Sequence, residues 1–169
     1  PKEAVLEAAL LHTDVIIENP GDEPGLWRID GRPLEIALVR AAVEHRVLLP
    51  EIKKRIKVLA RRPFNSTDKY SSAELEIGSE KHSNYLGAPE VLLKLVGASA
   101  EQQARVLKKM DELAYAGGRV LGVARDQEFF GLISFHDPVR PGVAEALQRA
   151  ELAGVRTVIV TGDHKGTAE

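Results

Sequence analysis

Near the end of the chain a run rich in β-branched residues, Val155-Arg156-Thr157-Val158-Ile159-Val160, leads into Thr161, Gly162 and Asp163. Such a run suits a buried strand, and in parallel α/β sheets ligands collect beyond the carboxyl ends of strands, where loop groups converge. A threonine hydroxyl with adjacent backbone amides can hold phosphoryl oxygens, and a carboxylate there can orient a metal, a lysine or a ribose hydroxyl. By spacing alone a Thr-Gly-Asp turn is more often only a turn, so its chemistry needs support from elsewhere in the chain. The histidines, His12, His45, His82, His136 and His164, repeat no metal-ligand spacing, and we assign no metal site. Lys53-Lys54-Arg55, Lys57 and Arg61-Arg62 form a basic cluster, but Glu44 and Glu51 flank it and no aromatic residues interleave. It reads as a solvated surface rather than a nucleic-acid patch.

The elements that must position these residues follow from periodicity and breakers. Lys2 to about Leu11 holds good helix formers without Gly or Pro, and Asn19, Pro20, Gly21, Pro24 and Gly25 make a loop after it. Pro33 suits the first turn of a second helix, in which Leu34, Ala37, Leu38, Ala41 and Ala42 form one apolar face. Ile56, Val58 and Leu59, then Ala73, Leu75 and Ile77, predict a hairpin with a polar connection through Pro63 to Asp68. Gly87-Ala88-Pro89-Glu90 opens a helix, and Ser99-Ala100-Glu101-Gln102 has capping-box spacing for another that ends at Gly117-Gly118. Val120–Ala124 and Phe129–Phe135 read as buried strands joined at Asp126-Gln127, and Pro141–Ala153 as a helix before the Val155 run. Strand, helix, strand in that order implies a parallel crossover, so the chain changes character between Asp126 and Asp137.

Composition is that of a globular domain: 169 residues, 44% hydrophobic and 28% charged, with few aromatic residues for stacking nucleic acid. A net charge of -2 gives no overall attraction to a polyanion or an anionic membrane. No cysteine is present, which excludes disulfides and thiolate chemistry. No stretch approaches the roughly 18 apolar residues of a membrane span, and no signal-peptide pattern opens the chain. Both ends read as cut rather than natural, with Pro1 at the start and a turn at Glu169 that should lead into a helix.

Taken together, Asp137-Pro138-Val139-Arg140-Pro141, Ala153-Gly154-Val155-Arg156 and Val160-Thr161-Gly162-Asp163-His164-Lys165-Gly166-Thr167-Ala168 resemble the phosphorylation domain of P-type ion-pumping ATPases, within the haloacid dehalogenase superfamily. The resemblance implies that Thr161 is the phosphoryl-binding hydroxyl and that Asp137, Arg140 and Asp163 help close the nucleotide site at a hinge. It extends upstream over nearly the whole chain. Gly31-Arg32-Pro33-Leu34-Glu35-Ile36-Ala37-Leu38 is similar to the nucleotide-domain helix, which implies Glu35 near the adenine. Pro63-Phe64-Asn65-Ser66-Thr67-Asp68-Lys69 resembles the segment that supplies an aromatic ring and a lysine, here Phe64 and Lys69. Gly87-Ala88-Pro89-Glu90 and Arg119-Val120-Leu121 match further stations, placing Gly87 at the nucleotide and Arg119 near the phosphates. The residue types suit ATP: an aromatic face stacks a base, a carboxylate accepts from the exocyclic amine, and cations offset triphosphate charge.

The implied fold is α/β: an α+β nucleotide-binding domain with a largely antiparallel sheet flanked by helices over residues 1–128, lacking its first strand. A hinge and partial parallel phosphorylation domain follow over 129–169. Leu86 and Ser66 depart from the pattern, where relatives carry a lysine lining the adenine pocket and, in some, an arginine near the phosphates. The Asp-Lys-Thr-Gly-Thr and Gly-Asp-Gly motifs are absent, so the phosphoryl acceptor and the Mg²⁺ ligands are expected outside this piece, which alone should not turn over. The expected partners are ATP and the remaining phosphorylation, actuator and transmembrane domains of a cation pump, at the cytoplasmic face of a membrane. The piece itself is expected to be monomeric and not to bind nucleic acid. Two other readings compete: a nucleotide-fold interaction module with a decayed ATP site, and a free-standing phosphatase of the same superfamily.

Overall fold

The computed structural model describes residues 2–137 and 141–158. Helix α1 (Lys2–Leu10) buries Val5, Leu6, Ala8, Ala9 and Leu10. A short antiparallel pair, β1 (Ile16–Ile17) and β2 (Ile29–Asp30), then brackets the Pro- and Gly-rich loop. Helix α2 (Pro33–Glu44) starts with proline at a position whose N–H is unused in a helix, and buries Glu35, Leu38, Val39 and Ala42. A short α3 (Leu49–Arg55) runs into the main sheet.

Five strands form that sheet in the order β3 (Ile56–Arg62), β4 (Tyr70–Ile77), β5 (Glu80–Gly87), β6 (Arg119–Arg125) and β7 (Glu128–Phe135). Every neighbouring pair is antiparallel, and the order in space follows the order in the chain. Helices α4 (Pro89–Leu95) and α5 (Ala100–Tyr115) connect β5 to β6, and α6 (Val143–Leu152) comes after β7. The fold is thus α/β, with an antiparallel sheet between helices as the family resemblance implies. The Ser99 hydroxyl caps α5 by accepting from the Gln102 amide at 3.2 Å.

Because side chains alternate across a strand, the sheet serves two cores. On one face Ala73, Leu75 and Val123 meet Leu10, Leu11, Leu38, Val39 and Ile52 from α1, α2 and α3. On the other, Ala124 and Phe129 meet Leu92, Leu93 and Val96, with Tyr70 and Tyr85 in edge-to-face contact beside them. The β6–β7 turn sets Asp126 in the left-handed region at φ 51°. Its carboxylate offsets that strain by accepting from the Ser83 amide and bonding His82 Nδ1, each at 2.8 Å, which ties the turn to β5.

Residue 128, taken from sequence as the end of the first domain, opens β7, whose pairing with β6 runs on to Phe135. The antiparallel sheet therefore continues past that point. Val155–Val158 forms no strand, residues 159–169 lie outside the described residues, and every strand pair among the described residues is antiparallel. Strand β5 and helix α3 add to the elements expected from sequence.

Candidate functional site: a cleft at one end of the sheet

The C-terminal ends of β3, β5 and β7 and the N-terminal ends of β4 and β6 meet at one end of the sheet. The first turn of α2 and the segment after α1 cover this end on one face. Between them lies a cavity of about 640 Å³. Its walls carry Glu35 and Leu38 from α2, Arg61 and Arg62 from β3, Ser71 from β4, Leu86 and Gly87 from β5, Arg119 and Leu121 from β6, and Phe64 on the rim. A second cavity of about 550 Å³ holds Lys69, Ser66, Pro89 and Met110, and it shares Phe64, Arg119 and Leu121 with the first. Phe64, Arg119 and Leu121 thus border both cavities, the first beside α2 and the second beside α4 and α5.

Local sequence explains each position. The proline at the start of α2 puts Glu35 in the helix's first turn, where a carboxylate is favoured by the free amides. Glu35 is only 7% exposed, and Arg32 neutralises it through Nη2–Oε1 at 2.5 Å. Phe64 is 59% exposed, an unusual state for an aromatic ring and one that leaves a face open to a planar ligand. The Asn65 side chain folds the connection after it, accepting from the Asp68 amide at 2.7 Å and donating to the Asp68 carboxylate at 2.6 Å. That turn ends at Lys69, held at φ 60° with its amide on the Asn65 carbonyl, and Lys69 lines the second cavity with Phe64.

Gly87 is required by close approach rather than by turn geometry. A Cβ there would come within 2.5 Å of Tyr70 Cα, since the two residues are directly paired across β4 and β5. The Ala88 amide then bonds the Lys69 carbonyl at 2.9 Å, stitching the lysine turn to the start of α4.

The cleft floor is polar but uncharged. His12 bonds Ser71 Oγ through Nδ1 at 3.0 Å and Asn84 Nδ2 through Nε2 at 3.1 Å. Burial, helped by the positive charge of Arg61, pushes the His12 imidazole down to about 4, so it is neutral at physiological pH. Arg61 in turn faces the exposed Asp14 carboxylate at 3.7 Å. Among the described residues, no group of three His, Asp or Glu side chains is placed to hold a metal ion.

Glu35, Phe64, Gly87 and Arg119 line the first cavity, and Lys69 lines the second together with Phe64 and Arg119. Of the two departures, Leu86 lines the first cavity and Ser66 the second. Asp137 is exposed just beyond β7 and lines neither cavity. Arg140, Thr161 and Asp163 lie outside the described residues. Sequence reasoning missed His12, Ser71 and Asn84, whose partners are distant in the chain. Arg61 and Arg62, read above as part of a solvated surface, are exposed and also line the cavity. Their position directly before Pro63-Phe64 was the available signal.

The sheet is flanked by helices and carries a cavity of mixed aromatic, acidic and basic lining at one end. The model of the P-type ATPase cytoplasmic domain N matches residues 2–142, and the chain belongs to that family. Among its relatives, the calcium-transporting ATPase of Bacillus subtilis is 27% identical over 99% of this chain and 22% of its own length. A silver exporting P-type ATPase of Salmonella typhimurium is 31% identical over 93% of this chain and 18% of its own. Calcium-transporting ATPase 1 of Schizosaccharomyces pombe is 28% identical over 82% of this chain and 17% of its own. The chain spans about a fifth or less of the length of these relatives. No helix among the described residues is long and apolar enough to cross a membrane.

Proposed function

We propose that this chain is the ATP-binding part of a cation-transporting P-type ATPase and that the cleft around Phe64 takes the nucleotide. The observation that carries this reading is the convergence of Glu35, Phe64, Gly87 and Arg119 on one cavity, with Lys69 in a second cavity that Phe64 and Arg119 also border. Phe64 stacks the base, Glu35 accepts from its exocyclic amine, and Lys69 and Arg119 face the phosphates, Arg119 with a bidentate fork. Gly87 lets β4 and β5 pair closely at the cavity wall.

In the intact pump, held at the cytoplasmic face of a membrane, ATP bound here would pass its γ-phosphoryl group to an aspartate of the phosphorylation domain. Mg²⁺ would neutralise the phosphates from ligands in the rest of that domain. Thr161 would hold the transferred phosphoryl group, with Asp137, Arg140 and Asp163 at the hinge. The chain alone, without an acceptor, would bind but not hydrolyse.

Titration with ATP, followed by NMR, tests the reading. Amides of residues 64–69, and those around Glu35 and Arg119, are expected to shift at millimolar nucleotide, and an unperturbed spectrum would refute ATP binding. Phe64→Ala should weaken binding by about 1–3 kcal/mol, the scale of one stacked base.

One observation favours a second reading, an interaction module whose ATP site has decayed: the cavity wall at Leu86 is apolar. Leu86→Lys discriminates. Tighter ATP binding in that variant supports the nucleotide site, and no gain together with an inert Phe64→Ala supports decay.

A further inference from the structure

Asn84 is fully buried, and its Nδ2 lies 2.7 Å from the Ala8 carbonyl and 3.1 Å from His12 Nε2. A carbonyl only accepts, so the amide nitrogen, not the oxygen, must face Ala8. The oxygen finds no partner among the described residues, so the nitrogen alone anchors the side chain. One Asn84 N–H serves Ala8, and the other points at the imidazole. His12 Nε2 must then present its lone pair, which puts the ring proton on Nδ1. Nδ1–H donates to Ser71 Oγ at 3.0 Å, and the Ser71 hydroxyl donates its own proton to the Leu86 carbonyl at 3.2 Å. With its proton committed and one lone pair taken, Ser71 can offer the cavity only an acceptor. Glu35, on the same cavity wall, is likewise an acceptor, its Oε1 already held by Arg32.

We propose that His12, oriented by Asn84, is a positioning residue that locks Ser71 as a hydrogen-bond acceptor, making the cavity selective for a base that presents an N–H donor at its exocyclic position. The inference rests on the nucleotide reading above and adds the basis of base discrimination. Adenine carries an amine at that position. Hypoxanthine carries a carbonyl there, which would face acceptors. The neutral state of His12 is required by the same relay, because a second ring proton would oppose the Asn84 N–H and bring a charge toward Arg61.

Two measurements on the full 169-residue chain test this. ¹⁵N spectra at pH 7 should show His12 protonated at Nδ1 and bare at Nε2, and the opposite tautomer would overturn the relay. ATP should bind more tightly than ITP, and Ser71→Ala should reduce that preference by about three- to tenfold, the effect of one hydrogen bond. His12→Phe, which removes the ring nitrogen facing Ser71, should reduce the preference in the same direction. If it fails to fold, the tautomer and Ser71→Ala still decide. Equal binding of ATP and ITP, or a preference unaltered in Ser71→Ala, overturns this inference alone. An unmodified chain that binds no ATP overturns it together with the nucleotide reading.

Discussion

Phe64 and Gly87 sit within one cleft yet answer to different constraints. Phe64 is largely exposed and packs little, so its truncation should leave stability within about 0.5 kcal/mol while its effect falls on ligand affinity. Gly87 has no such freedom. Its missing Cβ is where Tyr70 runs past, so Gly87→Ala should push β4 from β5 and cost about 1–3 kcal/mol of unfolding free energy, measurable by urea denaturation. His12 supplies a third kind of test. Its folded value of about 4 lies below the ordinary 6.5, so the unfolded chain takes up the proton first. The stability due to a neutral His12 is complete above pH 6.5 and is lost as pH falls from there toward 4. Denaturation midpoints should decline across that window and flatten in His12→Gln.

At the scale of elements, the turn and cap residues set where each side chain stands. Ser99→Ala removes the hydroxyl that accepts from the Gln102 amide and should cost about 1 kcal/mol, read as a lower midpoint in thermal denaturation. That cap was legible in the sequence because it is a local pattern, as were Pro33 at the head of α2 and the period-two run Ala73, Leu75, Ile77. Strand β5 was not legible. Its segment Glu80-Lys81-His82-Ser83-Asn84-Tyr85-Leu86-Gly87 is polar and lacks clean alternation, and it is a strand because β4 and β6 hold it from both sides. Helix α3 is short, with a proline in its first turn and a basic end, so its periodicity is weak. The cleft followed the same division. Glu35, Phe64, Lys69 and Arg119 sit in recognisable motifs, whereas the His12–Asn84 contact joins residues 72 positions apart and no local signal announces it.

For the molecule as a whole, the sheet is the shared wall of two cores, so neither core can loosen without disturbing the other. Leu75 faces the α1, α2 and α3 side and Leu92 comes from the opposite side, and both are fully buried. Leu75→Ala and Leu92→Ala should each cost about 2–5 kcal/mol and leave a single unfolding transition seen alike by fluorescence and circular dichroism. Two separate transitions would show that the faces unfold independently. One cavity is formed by strand ends and α2 and the other by strand ends with α4 and α5, so damage to either core should also weaken nucleotide binding.

The register of β3 against β4 slips between Val58 and Ala60, and the strand carries Lys57, Arg61 and Arg62. Among the described residues no strand pairs its outer side, and unpaired amides and carbonyls at such an edge could template a neighbouring chain. A second copy approaching edge-on would meet an interrupted ladder and a row of like charges. The arginines that enter the cleft wall thus sit on the strand that discourages the sheet from growing into a fibre.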